Sequence, residues 1–481
     1  MATENQGNER LKGGGASDSK LRWWQLSLLG VACTIGTGFF LGSGIAVRIG
    51  GPSSLISFLL AAAVTLVVFD ALARMTASEP LEGSFRAYAK KAFGRWAGFG
   101  SGWVYWSSEL LIVGSQLAAL SLFTRYWLPN VPMWIFAACY GFLGLIVVLI
   151  GTKAFDRVEN VFAVVKICAI ALFIVLAVLV LLGVAAGDGR PLSLKDAVYP
   201  YFPNGFPGWW SSLLFAFYAF GGIEVMGLMA TRLKKPEEAP KAGRIMLLLL
   251  AAVYTVSLLL AMTLVPWETF HSKKSPFMLA LLPYGMPWAQ SLFNAVLIVA
   301  GFSTMVASLF GVTRILVTLA KDKDAPPFFS KVWLNRPLAA IGLTSIGLAL
   351  SAVLSMAMPG SIYEFFTTAA GLMLLYNWMF ILATSVKLLK ASGWCRVKAF
   401  GGMGVLLAAV SGAVFHDTSR PGFYMSLGFV AAIGTLTLIM RKRWKHSEEG
   451  QGGPHHDNPV QAFSPEQKSK SFKSKIRAKA D

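Results

Sequence analysis

Charged residues are scarce in this sequence, and acidic ones are the scarcest. Only 14% of the 481 residues are charged, with 24 Asp and Glu against 43 Lys and Arg, so the formal net charge is +19. The cysteines are Cys33, Cys139, Cys168 and Cys395. They are scattered without the spacing of a metal or redox motif, so each is expected to pack as a small apolar side chain. No metal site and no cofactor is therefore expected.

The sequence also lacks the signatures of several function classes. It contains no HExxH or GxSxG motif, no pair of aspartates in an apolar segment and no histidine in one, which argues against a membrane-embedded enzyme. We recognise neither the pore loop nor the charged ring of an ion channel. The polar C-terminal tail is too short for the folded output domain of a membrane sensor.

Apolar residues dominate what remains. They make up 55% of the chain, and runs of about 20 of them, the length that a helix needs to cross a bilayer, recur along most of it. We therefore predict an all-α polytopic membrane protein with twelve transmembrane helices and the lipid bilayer as its surroundings. The predicted segments lie near 23–49, 53–77, 97–127, 131–150, 159–184, 209–230, 242–265, 287–320, 338–357, 362–388, 398–415 and 421–440.

The positive charge is distributed unevenly around these segments. Most Lys and Arg residues fall in the two tails and in alternate loops, which is the bias that places loops on the cytoplasmic side. This bias predicts cytoplasmic N- and C-termini, and it accounts for the net charge without a nucleic-acid partner. We expect residues 1–20 and the basic stretch 441–481 to be disordered cytoplasmic tails.

Two of the apolar segments are interrupted by glycine near their middle. The first contains the stretch IGTGFF at 35–40, and the sixth contains FGGIE at 220–224. Glycine and threonine are poor helix formers, and non-helical backbone at membrane depth is tolerated only where it is buried or lines a cavity. Close helix packing through small residues is the alternative interpretation of either stretch alone. Two interrupted helices at matching places instead indicate a transporter binding site between them.

The spacing of the two interruptions also predicts the domain organisation. They lie five segments apart, and an odd offset inverts the second unit relative to the first. We predict one repeat of helices 1–5 over 21–185 and an inverted repeat of helices 6–10 over 207–390. Helices 11 and 12, over 396–440, would be appended to this core.

Several motifs in collinear order over residues 20–440 resemble the amino acid permeases of the amino acid–polyamine–organocation (APC) superfamily. They are Gly51-Pro52, Gly83-Ser84-Phe85 with Tyr88-Ala89, GRWAGF at 94–99, GWVYW at 102–106, Gly222-Ile223-Glu224, Thr313-Arg314-Ile315 and KDKDAPPFF at 321–329. The resemblance implies a leucine-transporter-type 5+5 inverted repeat with helices 1 and 6 broken. It also implies secondary active transport of amino acids by alternating access.

The resemblance implies a binding site made largely of main chain. The N–H groups of Thr37 and Gly38, at a helix N-terminus that attracts anions, would receive the substrate carboxylate. The carbonyl of Ile35, with carbonyls near Tyr218 and Gly221, would receive the ammonium group.

An aromatic cluster lies at the second interruption, formed by Phe217, Tyr218 and Phe220. Members of the superfamily place an aromatic gate over the substrate here, and Tyr218 matches it best. The alternative for each ring is simple packing among helices. The bulk of the three rings favours a pocket of modest size.

Lys166 lies inside the fifth segment, where an unpaired cation is costly and indicates function. Proton-linked members that this chain resembles place a lysine of helix 5 where sodium-coupled relatives hold an ion, between helices 1 and 8. The resemblance implies that Lys166 bonds carbonyls at the helix 1 break and Ser303. Burial would make its proton easier to release. The alternative is a lysine that snorkels to the cytoplasmic surface, because the predicted segment begins only seven residues earlier.

Two acids, Glu109 and Glu224, also lie in mid-segment positions. Glu224 belongs to the family pattern and is expected to connect helix 6 to its neighbours. Many relatives carry a glutamate where this chain has Gln116, which lies two turns from Glu109 on the same helix face. Glu109 either takes over the role of that acid or pairs with a cation such as Arg314.

These observations predict a multi-pass transporter of the cytoplasmic membrane that imports amino acids by proton symport. Its partners would be an amino acid, protons and the lipid bilayer. An amino acid exchanger without ion coupling is the alternative within transport, and a membrane amino acid sensor is the alternative outside it.

Overall fold

The structure is a computed structural model that describes residues 21–449, except 82, 185–188, 231–232, 334–335, 358–361 and 390–392. Within these ranges every regular element is a helix, and β-type pairing is limited to the isolated bridges Leu21–Leu233 and Trp333–Arg336. The all-α prediction is confirmed. The predictions of disorder at 1–20 and over most of the C-terminal tail lie outside the described residues.

The α-helices are numbered here in chain order. They are α1 (Trp23–Thr34), α2 (Thr37–Phe40), α3 (Gly42–Gly50), α4 (Ser54–Ser78), α5 (Phe85–Phe93), α6 (Arg95–Arg125), α7 (Met133–Ile150), α8 (Thr152–Leu181), α9 (Leu194–Val198), α10 (Gly205–Tyr218), α11 (Ile223–Met229), α12 (Ala239–Leu264), α13 (Pro276–Ala280), α14 (Pro287–Lys321), α15 (Leu338–Ala357), α16 (Ile362–Leu388), α17 (Gly393–Phe415) and α18 (Arg420–Glu449). Short 3₁₀ turns lie at Gly51–Ser53, Pro236–Glu238, Trp267–Thr269, Leu282–Tyr284 and Pro327–Ser330.

Nine helical stretches in the described part of the chain are long and apolar enough to cross a bilayer. Each of the twelve predicted segments overlaps at least one helix. The short pieces beside the two interruptions, α1 with 12 residues and α10 with 14, do not span a bilayer by length alone. The chain is thus a multi-pass membrane protein, while the count of twelve spans and the inverted repeat stay predictions.

Both glycine-rich stretches interrupt their helices. α1 ends at Thr34, Ile35 and Gly36 are extended, and α2 begins at Thr37. α10 ends at Tyr218, and a turn leads to Gly222, whose φ of 108° lies in the left-handed region that favours glycine. Each interruption thus contains glycine, a residue of very low helix propensity: Gly36 in the first, and Gly221 and Gly222 in the second.

The helices differ in how much of their surface is buried. In the most apolar part of α6, 83% of the residues are buried, against 33% in α7 and in α17. α6 packs against α5, α7, α14, α15 and α16, so it lies at the centre of the bundle. Its Glu109 and Gln116 are consequently inside the protein.

The last helix continues further than predicted. α18 runs to Glu449, nine residues beyond the predicted end of the twelfth segment, so the start of the tail at 441–449 is helical. The chain comprises two compact units, residues 1–433 and residues 434–481. The second unit contains the end of α18 and the tail.

Candidate substrate-binding site

The two interruptions lie directly against each other. A Cβ on Gly38 would lie 3.1 Å from both the carbonyl oxygen and the Cδ1 atom of Tyr218. A Cβ on Gly222 would lie 3.1 Å from the carbonyl oxygen of Cys33. These distances are shorter than ordinary contacts of a methyl group, so glycine at both positions allows the two backbones to approach closely.

A cavity of about 50 Å³ lies between the interruptions. It is lined by residues of α1, α2, α6, α10 and α14 and of the turn that follows α10. They are Cys33, Thr34, Gly36, Gly38, Glu109, Ile112, Gln116, Tyr218, Gly221, Gly222, Thr304, Ala307 and Ser308. This volume has room for only a few water molecules. An amino acid that carries a side chain is larger than this cavity, so the surrounding helices must move before it can bind.

The predicted backbone donors and acceptor lie at the first interruption, where Gly38 lines the cavity and Ile35 and Thr37 are not among its lining residues. The first residues of a helix have no preceding helical carbonyl to bond. Among the described residues no backbone hydrogen bond is donated by Thr37 or Gly38, and none is accepted by the carbonyl of Ile35. The first bond within α2 runs from the Phe39 N–H to the Gly36 carbonyl at 3.1 Å. These groups can thus bind a ligand that carries an anionic and a cationic group on the same carbon.

Polar side chains fix the open end of α2. The Thr37 hydroxyl donates to Gln116 Oε1 at 2.6 Å, and the Tyr363 hydroxyl donates to the Thr37 carbonyl at 3.0 Å. The hydroxyls of Tyr218 and Ser115 are 2.7 Å apart. Helices α6 and α16 therefore bond α2 directly, and α10 is bonded in turn to α6.

Of the three predicted aromatic residues, only Tyr218 lines the cavity. The ring of Phe217 packs against Trp378 at 6.1 Å, and that of Phe220 packs against Tyr254 at 5.2 Å. Successive residues of a helix are about 100° apart, so neighbouring rings point in different directions. For Phe217 and Phe220 the geometry is that of packing among helices.

Glu109 lines the cavity together with Gln116, as their shared helix face predicts. The predicted pairing of Glu109 with Arg314 is wrong. Arg314 is exposed, Glu109 is only 3% exposed, and no ion pair joins them in the described part of the chain. A Cβ on Gly311 of α14 would lie 3.8 Å from Glu109 Oε2, so the carboxyl group faces α14 where that helix has no side chain.

Glu224, at the start of α11, stabilises the second interruption through hydrogen bonds. Its carboxylate accepts hydrogen bonds from the indole N–H of Trp378 in α16 and, at 3.1 Å, from the backbone N–H of Gly222. Glu224 is fully buried. It therefore accepts a hydrogen bond from the backbone N–H of Gly222 in the turn. It also connects α11 to α16, and the sequence predicts that this acid connects helix 6 to its neighbours.

Lys166 is fully buried and donates to the Ser303 hydroxyl at 2.8 Å. α8 begins at Thr152, fourteen residues before Lys166, and not seven residues before it as predicted. A snorkelling lysine would carry its ammonium group to the surface, whereas Lys166 is buried and bonds Ser303, so the snorkelling alternative is wrong. α8 packs against α1 and α14, the two elements between which the ammonium was expected.

Sequence reasoning missed several residues of this region. Thr304 and Ser308 line the cavity one turn apart on α14, next to Ser303. Their spacing of four places them on one helix face, which is a signal that the sequence offers. The contact of Tyr363 with Thr37 joins residues 326 positions apart, and no local pattern indicates it.

Comparison with known proteins places the chain in a family. Residues 25–413 match the family described as amino acid permease. The uncharacterized transporter YcgH of Bacillus subtilis is 52% identical over 89% of this chain and 96% of its own length. The aromatic amino acid transport protein AroP of Corynebacterium glutamicum is 30% identical over 77% of this chain and 81% of its own, and the amino-acid permease AapA of Bacillus subtilis is 31% identical over 73% and 77%. The resemblance seen in the motifs is thus confirmed, and the chain belongs to the amino acid permease family of the APC superfamily.

Proposed function

We propose that this protein imports amino acids across the cytoplasmic membrane by alternating access, in symport with protons. The observation that carries the proposal is the pair of interrupted helices, whose open ends meet at one buried cavity. In membrane transporters such ends supply N–H groups to anionic groups and carbonyls to cations.

The free backbone groups at the two interruptions bind the two charged groups of the substrate. The N–H groups of Thr37 and Gly38 bind the carboxylate, and the positive end of the helical segment adds to this attraction. The carbonyls of Ile35, Tyr218 and Gly221 bind the ammonium group. Because these contacts fit any α-amino acid, selectivity among amino acids depends on the side chains that line the cavity. Since relatives are named for aromatic amino acids, a substrate screen begins with Phe, Tyr and Trp.

Lys166 provides the coupling in this proposal. Its ammonium group bonds Ser303 of α14, beside Thr304 of the cavity lining, and its own helix α8 packs against α1 and α14. A protonated Lys166 favours the arrangement that packs these helices around the substrate, and loss of the proton weakens it. The membrane arrangement belongs to the same proposal: twelve spans, an inverted repeat over helices 1–10 and both termini in the cytoplasm, supported by the Lys and Arg bias of the loops.

Uptake of labelled amino acids into proteoliposomes with an alkaline interior tests the coupling. We expect wild-type protein to accumulate its substrate under this gradient, and Lys166→Ala to lose the accumulation. Lys166→Arg should fail as well, because arginine keeps its proton and has a different shape. Lys195→Ala, which removes an exposed lysine, is the matched control and should behave as wild type.

Binding measured separately distinguishes a coupling defect from misfolding. Lys166→Ala should still be stabilised thermally by the substrate, since the carboxylate and ammonium contacts lie elsewhere. Accumulation by Lys166→Ala equal to that of wild type would show that Lys166 has no coupling role. If wild type ignores the pH gradient but needs amino acid on the opposite side, the protein is an exchanger.

A further inference from the structure

A second and larger cavity lies between α4, α12, α16 and α17, away from the helix interruptions. Its volume is about 570 Å³. We propose that it binds an anionic phospholipid, with the phosphate on its cations and an acyl chain on its apolar wall. This site is separate from the amino acid cavity and shares no lining residue with it.

The cavity carries an excess of positive charge. Arg74, Arg244 and Lys398 line it, and Asp70 is the one acid among the lining residues. Both arginines bond the same carboxylate, Arg74 at 2.7 Å and Arg244 at 2.7 Å. One carboxylate neutralises only one of the three cations, so two positive charges are left for a ligand. The exposed fractions of the Arg74 and Arg244 side chains are 45% and 51%, so their remaining N–H groups are accessible.

The geometry of the cations suits a phosphate group. Two guanidinium groups held by one carboxylate keep fixed positions, and each retains N–H donors that match phosphate oxygens. Lys398 belongs to a different helix, α17, and its ammonium group lies 5.6 Å from the centre of the Trp394 ring. The cations that line the cavity thus come from three helices, α4, α12 and α17.

The rest of the lining is apolar, which identifies a lipid and not a soluble phosphate as the source of the anion. Leu66, Val67, Leu382 and Leu389 share the cavity with the cations. All four helices that form it belong to stretches apolar enough to cross a bilayer. A soluble phosphate gains nothing from such a wall, whereas an acyl chain buries its CH₂ groups there.

The position along the helices agrees with the depth of lipid headgroups. Arg244 lies five residues into α12, about 8 Å from its first residue at the helical rise. In the proposed orientation this end faces the cytoplasm, where negatively charged lipids attract Lys and Arg near the membrane surface. The inference rests on this orientation and not on amino acid transport.

Native mass spectrometry of the purified full-length protein with phosphatidylglycerol tests the site. We expect wild type to retain phosphatidylglycerol and Lys398→Gln to retain it about fivefold less tightly, the effect of one cation near lipid phosphate. Arg244→Gln should weaken retention further. Lys398→Gln leaves both arginine pairs with Asp70 intact, so its folding is not at risk. Lys273→Gln, an exposed lysine outside the cavity lining, is the control and should not change retention.

Two further arms identify the ligand. Wild type should retain zwitterionic phosphatidylethanolamine less tightly than phosphatidylglycerol, because the ethanolamine ammonium group is repelled by the cations of the cavity, and equal retention of the two lipids would overturn the preference for an anionic lipid. Glycerol 3-phosphate should fail to displace phosphatidylglycerol. Displacement by glycerol 3-phosphate would overturn the lipid assignment in favour of a soluble anion. Equal phosphatidylglycerol retention by wild type and Lys398→Gln would overturn the site itself. Because neither readout requires transport, the proposed amino acid import and its proton coupling can fail while this site stands.

Discussion

Gly38 is one of the two glycines on which the close contact between the interrupted helices depends. In Gly38→Ala the new methyl group would lie 3.1 Å from the carbonyl oxygen and ring of Tyr218, so Tyr218 must shift by a few tenths of an ångström. Under the proposed mode of binding, this disturbs contacts to both charged groups of the substrate. A hydrogen bond to a charged group contributes about 1.5–3 kcal/mol, so loss of one should raise the Kd roughly 10- to 150-fold. Isothermal titration with the transported amino acid measures this change.

Gly42→Ala is the control for that measurement. It makes the same change one turn further along, where the nearest atom, the Tyr363 hydroxyl, lies 3.6 Å from the new Cβ at an ordinary contact distance. Its Kd should stay close to that of wild type. Equal affinities of Gly38→Ala and wild type would mean that the substrate does not bind at this contact.

Single residues were predictable from sequence where their chemistry conflicts with their surroundings. Lys166 and the glycines of the two interruptions stand out because a cation and poor helix formers are unusual in apolar segments. Residues that fit their surroundings gave no such signal: Ser115 and Tyr363 look like ordinary members of their helices. The pairing of Arg314 with Glu109 was predicted wrongly for a similar reason. The sequence does not reveal that Arg314 lies on the exposed side of α14.

At the scale of elements, a cluster of ion pairs joins α5 and α6 to the segment that follows α14. Arg86 of α5 is 3% exposed and bonds Asp322 at 2.5 Å and Asp324 at 3.3 Å. Arg95 of α6 bonds Asp324 at 2.9 Å. Burial raises the pKa of Asp324, and the hydrogen bond and charge of Arg95 and the charge of Arg86 oppose this rise. The cations thus make it possible for a buried aspartate to stay ionised.

Removing one of these cations should make stability depend on pH. In Arg86→Gln the pKa of Asp324 rises further, because burial is then opposed only by Arg95 and by the charge of Lys90. Above that pKa the ionised carboxylate has lost one of its two arginine partners, which should destabilise the protein by about 1–3 kcal/mol. Below it the protonated group needs no cation, so the difference from wild type should shrink as the pH falls. Thermal unfolding of purified protein over a range of pH values follows this difference.

Lys91→Gln removes a cation from the same helix and serves as the control. Lys91 pairs with Glu79, and both side chains are about half exposed. Exposed pairs contribute little, so this variant should unfold like wild type at every pH. A deficit in Arg86→Gln that stays constant as the pH is lowered would mean that Asp324 is not the group involved.

The elements themselves were largely predictable, and the deviations concern their ends. Long apolar runs and glycine interruptions located the helices and both breaks. The start of α8 was placed too late because four charged residues lie between 152 and 159, and hydropathy does not follow a helix beyond the bilayer. The end of α18 was placed too early for the same reason, since basic residues follow position 440.

At the scale of the whole molecule, orientation in the membrane follows from charge and from the number of spans between two points. Lys273 and Lys331 are both exposed, and α14, one of the apolar stretches long enough to cross a bilayer, lies between them in the chain. They should therefore lie on opposite sides of the membrane. The Lys and Arg bias of the loops predicts that Lys273 is outside and Lys331 is in the cytoplasm.

Cysteine labelling of intact cells tests this orientation. The background variant lacks Cys139, Cys168 and Cys395, which are exposed or partly exposed, and keeps the buried Cys33. In it, Lys273→Cys should react with a membrane-impermeant maleimide, and Lys331→Cys should react only after the cells are opened. The same substitution at both sites makes each variant the control of the other. Reaction of both cysteines in intact cells would mean that α14 does not cross the membrane, whereas reaction of Lys331→Cys alone would invert the orientation and move the phospholipid site to the outer leaflet.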